Sequence, residues 1–128
     1  MNKTIPVAFL PKNVRRVVQK DNAGVYVLGN EENGKFIPKY IGRSDFSIRH
    51  RLLTHNHLYD YEYFVFKYVN GMEEAYLTES KWWHDCLNNG MDIDNKIHPD
   101  APSGINIECP YCAFAKDVTD LICQKRAG

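Results

Sequence analysis

The stretch GVYVLGNEENGKFIPKYIGRS, Gly24 to Ser44, constrains the fold more than any other part of the chain. Two apolar, β-branched runs flank Asn33-Gly34, a dipeptide suited to the two left-handed residues of a tight turn, so the stretch reads as a β-hairpin. Counted symmetrically about Asn33, Tyr26 and Tyr40 fall opposite each other, and cross-strand partners point to one sheet face. The two hydroxyls then serve one place. Pro38 marks a bulge or an edge in the second run, and a one-residue change of register there would separate the pair.

The remaining elements are mixed. The first twenty residues end in the basic VRRVVQK, which reads as a loop or short helix leading into the hairpin. SIRHRLLTHNHL, Ser47 to Leu58, has helical spacing with Ile48, Leu52 and His55 on one side, and Asp45 or Ser47 serves as its N-cap. YEYFVFKYV, Tyr61 to Val69, reads as a third strand closed by Asn70-Gly71. Glu73 to Asn89 reads as a longer helix, acidic in its first turn and ended by Asn-Gly. Gly90 to Asn106 is an ordered loop, followed by the strand-like INIE, the pair Cys109 and Cys112, and a last helix. The expected organisation is an N-terminal segment (1–22), one domain (23–90) and a C-terminal extension packed on it (91–128).

With 128 residues, one core is expected. Sixteen Lys and Arg balance sixteen Asp and Glu, so the totals exclude a strongly basic nucleic-acid binder and leave function to local chemistry. No apolar run reaches membrane-spanning length, and the apolar start is too short and interrupted for a secretory signal, which leads to a cytoplasmic expectation with no membrane partner. Four cysteines in that compartment are reduced, catalytic or metal-bound rather than a disulfide framework.

One carboxylate stands out. On the helix from Glu73, residues Ala75, Tyr76, Trp82, Trp83, Cys86 and Leu87 form an apolar stripe with Glu79 in its middle, although Glu74, Lys81, Asp85 and Asn88 already mark a solvent side. A buried carboxylate needs a cation, a metal or a hydrogen-bond network. A Glu that snorkels to water or pairs with a nearby Arg is the competing structural explanation. Arg51 and His55, four apart, project from the preceding helix toward the same place, though basic residues surround them and a solvated basic face would look the same.

Together GVY (Gly24 to Tyr26), YIG (Tyr40 to Gly42), RLLTH (Arg51 to His55) and EAYLTE (Glu74 to Glu79) resemble the GIY-YIG nuclease domain, in its order and close to its spacing over about Ala23 to Asn89. The resemblance implies a small α+β domain with a three-stranded, mostly antiparallel sheet flanked by helices. It also implies an endonuclease that hydrolyses phosphodiester bonds in DNA with one metal. Tyr26 would take a proton from the attacking water, and Tyr40 would hydrogen-bond the phosphate. Arg51 and His55 complete the catalytic group, and Glu79 would hold Mg²⁺ or Mn²⁺. Gly42, Arg43, Arg49 and Asn95 are the expected substrate contacts, with Arg49 competing with Arg51 for the catalytic position and Asn106 with Asn95. The lack of net basic charge points to a partner protein that supplies DNA affinity. The alternative on the same scaffold is a nucleic-acid or protein binding module that does not cut.

CPYC, Cys109 to Cys112, looks like a glutaredoxin active-site motif too. Only sixteen residues follow Cys112, too few for the rest of that fold. A redox protein working through an exposed, low-pKa Cys109 is therefore the least favoured reading. A structural Zn²⁺ site is the other expectation, built from Cys109 and Cys112 with Cys86 and His98 as the main further ligands and His84 and Cys123 as alternatives. Reduced core thiols would give the same pattern.

Overall fold

A computed structural model of the chain describes residues 3–112. The elements are β1 (Lys3–Ala8), α1 (Pro11–Val17), β2 (Gly24–Glu32), β3 (Lys35–Ser44), α2 (Ile48–Leu53), β4 (Tyr63–Tyr68) and α3 (Met72–Asn88). They form a mixed α+β fold around a four-stranded antiparallel sheet of order β1-β4-β2-β3.

The fourth strand corrects the expectation of three. KTIPVA pairs with β4, Lys3 opposite Phe66 and Ala8 opposite Tyr63, with a register shift between Lys3 and Val7 where Pro6 interrupts the ladder. Proline is tolerated at an edge or a bulge, so this short segment makes a strand that its pattern conceals. A boundary after residue 22 therefore cuts through the sheet.

The hairpin turn forms at Asn33 and Gly34, with φ of 55° and 78°. Its register differs from the symmetric count. Pairing runs Glu32 to Lys35 and Gly29 to Pro38, then shifts, so Leu28 faces Tyr40 and Tyr26 faces Gly42. Lys39 is the extra residue. The two tyrosines are thus diagonal neighbours rather than direct partners, and a two-residue offset keeps them on one face.

Both faces of the central strand β2 are covered, which explains its unbroken buried run from Gly24 to Gly29. Tyr26 and Leu28 pack with Phe64 and Phe66 under Phe9, Val14, Val18, Ile48 and Leu52, the side served by α1 and α2. Val25, Val27 and Ile41 pack on the opposite side with Trp83 of α3 and Ile93.

α2 is shorter than its periodicity predicts. Ser47 caps it by accepting from the His50 amide, and it ends at Thr54, whose hydroxyl turns back to the His50 carbonyl. His55 therefore sits in the turn after the helix. α3 buries Ala75, Tyr76, Glu79, Ser80 and Trp83, while Leu87, expected in the stripe, is 39% exposed. Its end is a Schellman motif: Gly90 at φ 72° donates to Leu87 and Met91 donates to Cys86. INIE, Ile105 to Glu108, forms no strand, so the strand expected before CPYC is absent. The last helix expected after CPYC lies outside the described residues.

Candidate active site

A cleft of about 940 Å³ opens along the exposed edge of β3, between α2 and α3. Tyr26, Tyr40, Gly42, Arg51 and Glu79 all line it, as do Arg43 and Asn95. Because β3 is an edge strand, consecutive residues on it reach the cleft from opposite faces of the sheet. Gly42 belongs to the tyrosine face and Arg43 to the α3 face.

Gly42 has a local purpose. A Cβ at this position would run into the ring and hydroxyl of Tyr26, so the buried phenol occupies the space that any other residue would fill. The glycine lets Tyr26 reach from the sheet interior to the cleft, rather than clearing room for a substrate. Gly42→Ala is expected to displace that ring and lower stability by about 1–3 kcal/mol. Urea denaturation checks this, and an unchanged midpoint would contradict it.

His55 organises the tyrosines. Its ring stands edge-on to Tyr26 at 5.4 Å and to Tyr40 at 5.1 Å. Its Nε2 lies 2.8 Å from the Tyr26 hydroxyl, and its Nδ1 accepts the His57 amide at 3.0 Å. An Nδ1 that accepts leaves the ring proton on Nε2, so neutral His55 donates to the Tyr26 oxygen. The Tyr26 proton is then free to point into the cleft. Burial pushes the Tyr26 pKa up strongly, while Arg51 opposes this through its charge and a hydrogen bond.

Burial, followed by the charges of His57 and Arg51, lowers the His55 pKa to about 4. An unfolded imidazole titrates near 6.5. Below that value the unfolded chain binds the proton more readily. The stability contributed by neutral His55 is complete above pH 6.5 and is lost as pH falls toward 4. Unfolding free energies measured across this interval should decline in the wild type and slope less in His55→Gln; equal slopes would contradict the assignment.

Glu79 is buried, 7% exposed, and its partner is Arg43. Arg43 Nη1 donates to Glu79 Oε1 at 2.6 Å, its Nε donates to Asp45 at 2.9 Å, and its guanidinium lies 5.4 Å from the centre of the Tyr76 ring. Burial raises the Glu79 pKa and the Arg43 hydrogen bond pulls it back. The arginine expected to bind substrate is thus engaged with carboxylates. This is the ion pair that the competing explanation for Glu79 anticipated.

Of the two candidate arginines, Arg51 lines the cleft and acts on Tyr26, whereas Arg49 is not among the lining residues. Asn95 lines the cleft, but its side chain is committed to β3. It accepts from the Ile41 amide at 3.2 Å and donates to the Ile41 carbonyl at 2.6 Å, closing part of the strand edge. Its backbone carbonyl accepts from the Trp83 indole. Asn95 therefore shapes the cleft wall rather than offering a free amide.

Sequence reasoning named Asp45 only as an N-cap, a role that Ser47 fills, and missed that it shares Arg43 with Glu79; it did not single out Tyr61 and His57, whose rings extend the tyrosine cluster. The Arg43-Ser44-Asp45 spacing carried a signal for the first, since a carboxylate two residues on can reach the guanidinium. The ring cluster depends on how the turn after α2 folds back and has no such local mark.

The cysteine motif meets α3 at His84, next to the cleft wall that His98 lines. His84, His98, Cys109 and Cys112 bring one donor atom each within 4.8 Å of one another, a group that could hold a metal ion. Cys86 does not join them; it packs against the apolar cluster of Val25, Ile41 and Trp83. The two α3 positions are about 200° apart around the helix, so they cannot address the same ion. His84 therefore replaces Cys86 in the expected ligand set, and Cys123 lies outside the described residues. Cys109 is buried, at odds with the exposed thiol that a redox role requires, and burial together with Cys109 pushes the Cys112 thiol up to about 11.

Compared with protein-family models, curated proteins and solved structures, the chain matches none. Among the described residues, no helix is long and apolar enough to cross a membrane.

Proposed function

We propose that this chain is a GIY-YIG-type endonuclease that hydrolyses phosphodiester bonds in DNA, using one Mg²⁺ or Mn²⁺ held at Glu79. The observation that carries the reading is the convergence of Tyr26, Tyr40, Arg51 and Glu79 on one cleft.

The donor chemistry fits such an ion. Glu79 and Asp45 place hard carboxylate oxygens, the donor type Mg²⁺ prefers, at one end of the cleft, where both are bonded to Arg43. A bound divalent ion supplies charge for the phosphate and acidifies water. This chain's own residues do the rest. Tyr26 first releases its own hydroxyl proton to solvent through the cleft, and the phenolate, favoured by the His55 Nε2 proton and Arg51 against the cost of burial, then takes the proton of the attacking water. Tyr40 hydrogen-bonds the phosphate, and Arg51 stabilises its added charge as the P–O bond to the leaving oxygen breaks. An arriving phosphate gives Arg43 another anion to hold, which frees Glu79.

The rim adds support for a nucleic acid. Phe46, 73% exposed among the residues lining the cleft, offers an aromatic face on which a base can stack. With a formal net charge of zero, affinity is salt-sensitive or supplemented by a partner protein.

One observation favours a second reading. The 2.6 Å pair with Arg43 satisfies Glu79 without any ion, as it would in a binding module that does not cut. Incubating the purified protein with supercoiled and branched DNA and with RNA, in Mg²⁺, Mn²⁺ or chelator, separates the two. Metal-dependent cutting of DNA supports the nuclease. Binding with no cutting in either metal leaves the module, and cutting confined to RNA changes the substrate class.

A further inference from the structure

The four donors beside CPYC come from three separate segments and take no part in the cleft chemistry. We propose that His84, His98, Cys109 and Cys112 form a structural zinc site that fastens the C-terminal segment and the loop after Ile93 to α3. The inference stands whether or not the protein is a nuclease.

The donors already converge. Cys112 Sγ lies 3.2 Å from His84 Nε2 and 2.9 Å from His98 Nε2. Zinc bonds of about 2.0–2.1 Å to nitrogen and 2.3 Å to sulfur give tetrahedral edges of roughly 3.3–3.8 Å, so the Cys112 contacts must open by about 0.4–0.7 Å and the widest donor pair, within 4.8 Å, must close by at most about 1 Å. Two thiolates with two imidazoles select zinc over magnesium, and four protein donors leave no open position for a substrate.

The orientation of His98 points to a ligand independently of proximity. Its Nδ1 donates to the Pro99 carbonyl at 2.7 Å, which leaves the Nε2 lone pair directed at Cys112. A carbonyl on the far nitrogen is the usual device that fixes the tautomer of a metal-bound histidine. Trp83 and His84 each stand edge-on to the same ring at 5.1 Å, and Cys109 is 7% exposed. Reduced core thiols would need neither imidazole.

The site also reaches the cleft. His98 lines it, and Asn95, on the same loop, is fixed to Ile41 of β3. An ion at His98 holds that wall in place.

The test uses the full-length chain, expressed with zinc in the medium and purified without chelator. Elemental analysis should find about one zinc per chain. Cys86→Ser and Cys123→Ser should keep it, whereas Cys112→Ser and His84→Ala should retain at least about tenfold less. Exchange of the wild-type protein with Co²⁺ should give tetrahedral ligand-field bands and thiolate charge transfer, a readout that does not depend on any variant folding. A wild type without zinc and without a thiolate-to-cobalt band overturns the proposal. So does a Cys86→Ser or Cys123→Ser variant that loses the ion as fully as Cys112→Ser.

Discussion

Glu79→Gln is expected to lower metal-dependent DNA cleavage by about 10³-fold or more, equivalent to roughly 4 kcal/mol of barrier, while the protein stays folded. The amide keeps the shape of the buried side chain and still accepts a hydrogen bond from Arg43, but it brings no charge to a divalent ion. Replacing a charge-assisted hydrogen bond with a neutral one costs about 1–2 kcal/mol. Burial already works against the carboxylate, as its raised pKa shows, so relief of that penalty offsets part of the loss. Binding of DNA in chelator should be equal or tighter, because a carboxylate that repels phosphate is gone. Single-turnover cleavage, thermal melting and binding measured together check this. Cleavage within tenfold of wild type would remove Glu79 from the metal site. The raised pKa also predicts that metal affinity weakens on acidification at a higher pH than an ordinary carboxylate would allow.

Tyr26→Phe is expected to slow cleavage by about 10²–10⁴-fold. The ring volume is kept in a position only 1% exposed, so packing changes little. What disappears is the oxygen that accepts from His55 and faces the cleft. Leaving the half-buried His55 donor without that acceptor costs about 1 kcal/mol of stability. A structural tyrosine would show only the small stability effect. A proton-accepting one alters the pH profile as well: burial keeps wild-type Tyr26 protonated without substrate, so its rate should climb with pH through the neutral range. The residual rate of the Phe variant should be flatter. Parallel profiles would make Tyr26 a packing residue.

The hairpin and α3 were legible because their signals are local. Asn33-Gly34 marks the turn, and the period of α3 carries Glu79 onto the buried side without knowledge of any other element. What failed depended on tertiary context. Lys39 enters as a bulge, so the symmetric count pairs Tyr26 with the wrong residue yet keeps both tyrosines on one face. β1 escaped notice because a six-residue edge strand with an internal proline shows little alternation, and only its pairing with β4 reveals it. Cys86 is the expected ligand in place of His84 because it lies on the apolar stripe of its helix. That stripe faces the sheet, and the segment meets α3 beyond it. Asn95 matched a spacing, but no sequence pattern records that its amide would be spent on the β3 backbone.

The most direct test of the central claim is single-turnover cleavage of labelled supercoiled DNA by saturating wild-type protein, with Glu79→Gln and Tyr26→Phe assayed at the same bound fraction. Nicked or linear product that requires Mg²⁺ or Mn²⁺, and that both variants fail to make while still bound, is the predicted result. DNA that remains intact under bound wild-type protein in both metals would contradict it.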